Sequence, residues 1–325
     1  MKNINQFKVT PSNTSIILIC VIWNELLLLQ FFIDYYTKLG VTHFVFIDNN
    51  STDGTIEYLI TRDDLNIELY SDSGSYATAE FGLAWVNLIL NETFQHKWCL
   101  VVDIDELLIL KDGMSLSQLV LLMENSNTNI VQTVLVDFYP VVFDRDTLQL
   151  GSPFLTHSNC FHKFTKNTIR ATLAPDGSLD VKGGVRHVMT NKQIKPNSSS
   201  VCLSKKSFFK YDFYKTHQLS VGMHWILPTD FTCWWPPERA YKNWNHTNQF
   251  LKFFKDVFVI AHFKYIKPNI LDVFQTRINR NQDWNNSSEY KNYVNSAIPS
   301  FWDPEYSLTF ENVSHLYNNT LHTII

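Results

Sequence analysis

Residues 98–106 read W-C-L-V-V-D-I-D-E, an apolar run that breaks off into three carboxylates. Residues 98–103 suit a strand buried on both faces, and they run directly into an acidic loop. Upstream, residues 15–23 (SIILICVIW) and 41–47 (VTHFVFI) have the same β-branched, apolar character. Between them, residues 26–39 carry apolar side chains at helical spacing and stop at Gly40, a natural left-handed cap residue. Residues 48–54 (DNNSTDG) are turn formers, 55–61 a helix, 66–70 a strand and 77–90 a further helix. Strands and helices that alternate in this way predict an α/β fold, Rossmann-like, with a mostly parallel sheet and covering helices.

The second half changes character. Residues 130–142, 161–164 and 257–265 predict strands and 270–278 a helix, whereas 175–184 and 195–200 are rich in Pro, Gly and Ser and the tail after Pro299 is irregular. A soft boundary near residue 128 is expected to separate two halves of one domain: 1–128 to bind the main ligand and 129–325 to form a more irregular second part.

Bulk composition narrows the function. A chain of 325 residues with 45% hydrophobic content can bury a large core. A net charge of −4 and a pI near 6.2 provide no basic stripe for nucleic acid. The five cysteines (Cys20, Cys99, Cys160, Cys202, Cys233) are scattered and form no CxxC pair, against both a disulfide scaffold and a structural zinc site. The N-terminal residues have no signal-peptide core, and residues 16–33 are interrupted by Asn24-Glu25, short of a membrane span. The expected setting is cytoplasmic, and peripheral attachment to a membrane is compatible with it.

In open α/β sheets, ligands bind where loops leave the carboxyl ends of strands. Three polar clusters fall there: Asn24-Glu25, Asp48 to Asp53, and Asp103-Ile104-Asp105-Glu106. In D-x-D two carboxylates can face one ligand, and such oxygen ligands suit Mg²⁺ or Mn²⁺ shared with a diphosphate. A solvated acidic turn is the bland alternative. Residues 48–55 admit an Asx-turn with a helix cap, and the same turn would aim Asp48 at a nucleobase imide or ribose hydroxyl. Lys182-Gly183-Gly184-Val185-Arg186 offers two glycines for close approach and an arginine fork for a phosphate, with a plain turn as the alternative.

The strings W-N-E at 23–25, K-L-G-V-T-H-F-V-F-I-D-N-N-S-T-D-G-T at 38–55 and W-C-L-V-V-D-I-D-E-L-L at 98–108 together resemble family 2 glycosyltransferases, in the branch with NE, DNxStDGT and DxDE motifs. The likeness spans roughly residues 15–110. V-K-G-G-V-R-H, S-V-G-M-H-W and V-I-A-H-F-K-Y are similar to weaker motifs, and Leu107 replaces the usual aromatic. This resemblance implies a GT-A fold, a nucleotide-diphosphate sugar donor (UDP-linked by family frequency), a divalent cation (Mn²⁺ or Mg²⁺), and an inverting transfer to a glycan or glycolipid. It implies Glu25 and Asp48 on the donor nucleoside, with Asn24, Asn50, Asp53, Gly184 and Arg186 on the donor side. Asp103 would approach ribose or sugar, and Asp103, Asp105 and His262 would hold the metal.

Such a transfer also needs a base and an acceptor platform. Asp137, Asp212, His224, Asp230 and Glu238 are candidate bases, with His224 ranked first and Asp230 second. Six of the nine tryptophans lie after residue 220, so Trp225, Trp234 and Trp235 are candidates to stack on an acceptor sugar. Two other readings compete. A sugar-nucleotide pyrophosphorylase would carry a Gly-rich phosphate loop where Trp23-Asn24-Glu25 stands, and a carbohydrate-binding module would leave the three acidic loops unexplained.

Overall fold

The structure is a computed structural model. It describes every residue except 112, 144–147, 157–158, 174–177, 191–194, 198–199, 221, 230–250, 296–299 and 324–325. The first half of the chain runs β1 (Lys2–Asn5), β2 (Ile16–Ile22), α1 (Leu26–Leu39), β3 (His43–Asp48), α2 (Thr55–Thr61), β4 (Ile67–Ser71), α3 (Leu83–Thr93), β5 (Trp98–Val101), β6 (Glu106–Ile109) and α4 (Leu116–Asn125). Then come β7 (Ile130–Pro140), β8 (Asn159–His162), β9 (Ile169–Leu173), β10 (Leu179–Gly183), α5 (Gly184–Thr190), β11 (Ser204–Lys205), β12 (Phe208–Lys210), β13 (His217–Ser220) and β14 (Trp225–Pro228). The chain closes with β15 (Phe253–His262), α6 (Ile270–Arg280), α7 (Trp284–Asn295), β16 (Ser307–Thr309) and α8 (Val313–Asn319).

One mixed sheet runs across position 128 in the order β1-β4-β3-β2-β5-β12-β7-β15-β6. Its core, β4-β3-β2-β5, is parallel, as is the pair β7-β15. The remaining neighbours are antiparallel, including β12 beside both β5 and β7, and β6 beside β15. Strand β2 shows why apolar residues without alternation form this core. Ile16, Leu18, Cys20 and Ile22 face one layer with α1, α4 and α8, while Ile17 and Ile19 face the other with α3. Every one of those six side chains is buried, and Val21, near the strand's carboxyl end, is half-buried at a cleft.

Local signals set most element ends. Gly40 takes φ 112°, and its N–H donates to the Tyr36 and Thr37 carbonyls, closing α1. The helix expected from residue 77 begins only at Leu83, because Glu80, Phe81 and Gly82 all adopt left-handed φ values. Helix α4 escaped the pattern reading although Ser115 and Gln118 form a reciprocal capping box at its start. The tail beyond Pro299 is not irregular: β16 pairs with β8, and α8 starts where Asn312 accepts from the His315 N–H at 2.8 Å. Elements this short have almost no periodicity of their own and form because a partner already waits for them. Among the described residues, no helix is long and apolar enough to cross a membrane.

Strand β8 carries one costly feature. His162 is buried, its Nδ1 lies 2.8 Å from the Tyr139 hydroxyl, and its Nε2 has no hydrogen-bond partner among the described residues. Burial pulls this imidazole down to about 4. Above the unfolded-state value of about 6.5 the ring is neutral in both states. Below it the unfolded chain takes a proton that the fold refuses, so stability is lost as pH falls from 6.5 towards 4, by up to roughly 3 kcal/mol. Thermal melts of wild type and His162→Gln between pH 7.5 and 4.5 should therefore converge in acid. Parallel curves would mean that His162 does not titrate in this window.

Candidate functional site

The parallel core brings three loops to one edge. Trp23-Asn24-Glu25 leaves β2, the Asp48 loop ends β3, and Asp103-Ile104-Asp105 links β5 to β6. The chain returns to the same edge twice more. In the register of β7, β15 and β6, His262 sits beside Asp137 on one side and Glu106 on the other. These loops and the α6 region enclose a cleft of about 170 Å³, lined among others by Trp23, Glu25, Asp103, Asp105, His262 and Arg280.

Within the acid loop the two aspartates differ. The Asp103 side chain is 52% exposed and stands 3.7 Å from the Lys205 ammonium, whereas that of Asp105 is 18% exposed. Asp105 Oδ2 lies 3.7 Å from His262 Nε2. Burial pushes the Asp105 carboxyl up, but His262, Lys267, Arg277 and Lys264 together outweigh this and hold it below the ordinary carboxylate range. Glu106 is turned into the protein and ion-paired with buried Lys205. Burial alone would discharge Lys205, yet Glu106 and Asp103 raise its ammonium above the usual lysine value.

His262 is held from behind. Its Nδ1 is 2.6 Å from Asp137 Oδ1, and the other Asp137 oxygen accepts from Arg186 Nε at 3.0 Å. The Asp137 carboxyl, despite burial, is held far below its ordinary value by Arg186 and His262. In a neutral imidazole, a carboxylate that accepts a hydrogen bond from Nδ1–H leaves Nε2 as an acceptor, and here Nε2 faces a second carboxylate, Asp105. With the imidazole neutral, these two acceptors can hold a cation between them, in the carboxylate–histidine–metal order common in metalloproteins; with it protonated, they form an ion pair. The donor set of Asp105 oxygen and His262 nitrogen thus fits a divalent ion, with Asp103 nearby. Among the described residues, no group of three or more His, Cys, Asp or Glu side chains is placed to hold a metal ion, so Asp103, Asp105 and His262 do not form a three-ligand set. An ion shared with a diphosphate does not require one, since Mg²⁺ commonly uses one or two carboxylates and takes its other ligands from phosphate and water.

The other residues singled out from the sequence divide by what they touch. Glu25 faces the cleft, its carboxylate 2.6 Å from Lys267 Nζ and 3.7 Å from Arg277, with burial as the main influence raising its pKa. Asp48 is fully buried, and its oxygens accept the N–H groups of Asn50 and Ser51 at 3.0–3.3 Å, an Asx-turn. Asn24 accepts from Thr52 N–H at 2.7 Å and donates its own N–H to Ser51 Oγ. Asn50 is exposed at φ 72°. Asp53 accepts from Leu26 N–H at the start of α1 and from Thr55 N–H at the start of α2, both at 3.1 Å. This loop is therefore cross-braced by its own side chains.

The glycine pair is also inward. The Gly183 and Gly184 N–H groups donate to the Val201 and Thr168 carbonyls at 2.9 Å, and a Cβ on Gly183 would run into the Thr168 carbonyl. Arg186 engages Asp137 and, at 3.8 Å, Glu289. His224 Nδ1 meets the Ser204 carbonyl at 2.6 Å, and burial, with Lys205, Lys206 and Arg186 nearby, lowers its imidazole to about 3. Trp225 is half-buried, with the ammonium groups of Lys182 and Lys206 5.6 and 5.5 Å from its ring. Asp212 pairs with His96 at 2.8 Å. Asp230, Trp234, Trp235 and Glu238 lie outside the described residues.

Sequence reasoning missed the cleft's far wall. Lys264 and Lys267 follow β15, and Arg277 and Arg280 occupy the last turn of α6, where they face Glu25, Asn49, Asp283 and Glu289. The available signal was a basic last turn on a helix otherwise read only for its apolar spacing.

No family model matches the chain, and no curated protein matches it. Among solved structures, HddC from Yersinia pseudotuberculosis is similar at 9% identity and a TM-score of 0.34, over 76% of this chain and 90% of that one. GalNAc-T7 with UDP, GalNAc and Mn²⁺ is similar at 12% and 0.38, over 94% of this chain and 54% of that one. The 4-diphosphocytidyl-2C-methyl-D-erythritol synthase from Anaerococcus prevotii DSM 20548 is similar at 10% and 0.34, over 87% and 100% respectively. Likenesses this loose assign neither activity nor ligand to this chain.

Asp53 offers a direct test of bracing against ligand contact. Asp53→Ala strips a brace shared by two helix starts and should cost about 1–2 kcal/mol in urea melts. An unchanged urea midpoint would mean that Asp53 braces neither helix and is free for another role.

Proposed function

We propose that the chain is a metal-dependent glycosyltransferase of GT-A type, moving a sugar from a nucleotide-diphosphate donor, UDP-linked by default, to a hydroxyl of a glycan or glycolipid. The observation that carries this reading is the opposition of Asp105 and His262 across 3.7 Å, with His262 fixed by Asp137, at the edge where the parallel strands end. Asp105 and His262 would hold Mn²⁺ or Mg²⁺, and Asp103, more open to solvent, would share it or meet the donor sugar. When bound, the ion would offset the charge of the departing diphosphate.

The chain's own residues supply the rest. Asp137 accepts a hydrogen bond from the Nδ1–H of His262 and so keeps Nε2 available to a metal. Glu25, buried at the start of α1, is the carboxylate on the nucleoside side, and its pairing with Lys267 ties the region after β15 to that side of the cleft. For the base, a group that titrates near the working pH is most effective. An imidazole lowered to about 3 is a weak one, which counts against His224. The requirement passes to a carboxylate, and Asp230 is the remaining ranked candidate.

A nucleotidyltransferase would also use metal-holding carboxylates, but it would need phosphate-cradling backbone after β2. There the chain has Asn24 and Ser51 locked to each other instead. Products separate the two. Incubation with a panel of UDP-, GDP- and CDP-sugars and Mn²⁺ should release the nucleoside diphosphate, whereas a pyrophosphorylase would form nucleoside triphosphate on addition of inorganic diphosphate.

Asp105→Asn keeps the shape of the loop and removes its charge. Metal-dependent turnover should fall by on the order of 100-fold or more, measured at temperatures where circular dichroism shows the variant folded. Near-normal turnover in this variant would dismiss Asp105 as a metal ligand.

A further inference from the structure

Among the cations of the cleft wall, Arg280 stands apart. Lys264 pairs with Glu289, Lys267 with Glu25, and Arg277 with Asp283 and Glu25. Arg280 has no carboxylate within 4 Å among the described residues. Its guanidinium lies 3.9 Å from the centre of the Trp23 ring, and its Nη2 donates to the side-chain oxygen of Asn49 and, at 3.5 Å, to the Asn49 carbonyl. Arginine carries five N–H donors in a fixed fork, so the Nε and Nη1 donors stay unengaged among the described residues. Burial, and then the like charge of Arg277, lower its pKa from the ordinary arginine value. The carbonyl end of α6 offsets part of that cost. A half-buried, oriented, carboxylate-free guanidinium on a cleft wall is chemically prepared to receive an anion.

We propose that Arg280, splinted on Trp23 and Asn49, is the cleft's receptor for the phosphate oxygens of a bound nucleoside diphosphate. This rests on the nucleotide-sugar reading for the identity of the ligand, but not for the anion. The Trp23 ring fixes the plane of the guanidinium before the ligand arrives, so little side-chain entropy is lost on binding. The Asn49 contact commits one edge of the fork and leaves the rest for oxygen acceptors. The arrangement assigns to α6 a task that the acid loop cannot perform, because carboxylates at Asp103 and Asp105 repel phosphate unless a cation intervenes.

Calorimetric titration of UDP, uridine and inorganic diphosphate, each with Mg²⁺ at one ionic strength, tests this on wild type, R280Q and R280K. R280Q should weaken UDP and diphosphate at least tenfold and leave uridine unchanged, and R280K, with charge but no fork, should recover only part of the loss. The proposal is overturned if R280Q binds UDP and diphosphate within twofold of wild type. It is equally overturned if uridine weakens as much as UDP, or if wild type binds no diphosphate. Binding of diphosphate that depends on Arg280, with no added affinity from any nucleoside, would uphold the anion receptor and remove the nucleotide-sugar reading. A melting temperature for R280K close to wild type keeps the comparison clear of misfolding.

Discussion

The buried carboxylate of Asp137 is the constraint on which the cleft depends. Removing a carboxylate from water is expensive, and it stays ionised here only because Arg186 and His262 both bind it at hydrogen-bond distance. That requirement links distant parts of the chain. Arg186 brings α5 against β7, His262 brings the end of β15, and Arg186 also reaches Glu289, which Lys264 holds at 2.8 Å. Glu289, half-buried, is pulled down to about 2 by Lys264 and Arg186 against the effect of desolvation, so it stays ionised throughout the neutral range. Breaking such a network by removing one member leaves its neighbours buried and uncompensated, which costs far more than an exposed ion pair.

Around that hub the polar residues divide into those consumed by the fold and those left over. Asn24, Ser51, Asp48 and Asp53 spend their oxygens on backbone N–H groups of two neighbouring loops. Backbone donors at loop and helix starts must be satisfied somewhere, and side chains one or two residues away are the cheapest source. The result is a rigid floor at the strand exits. Asp103, Asp105 and Glu25 project from it into the cleft, their charges balanced by lysines and arginines arriving from the far end of the sequence. A cleft lined by interspersed carboxylates and guanidinium groups suits a ligand that carries both kinds of charge.

Much of this was legible in the sequence, for local reasons. The apolar runs at 15–23, 41–47 and 98–103 suited doubly buried strands, and helix signals between them pointed to an alternating, parallel core. Gly40 and the Asp-Asn-rich turn marked their own boundaries because φ preferences and caps act over two or three residues. The carboxylates at the strand exits were visible for the same reason: a strand's end fixes the position of the next residue. The sequence could not show how far the Asp48 loop consumes its own polar groups, since an Asx-turn and a ligand contact use the same residue types. Nor could it reveal the short elements β16 and α8, which exist only against a partner. What tertiary structure alone decided is which side chains meet: Asp137 with His262 across 125 positions, Lys267 with Glu25 across 242, Arg280 with Asn49 across 231. Charge pairing over such separations has no periodicity and no spacing rule, because it is set by the register of β7 against β15 and by where α6 returns to the sheet.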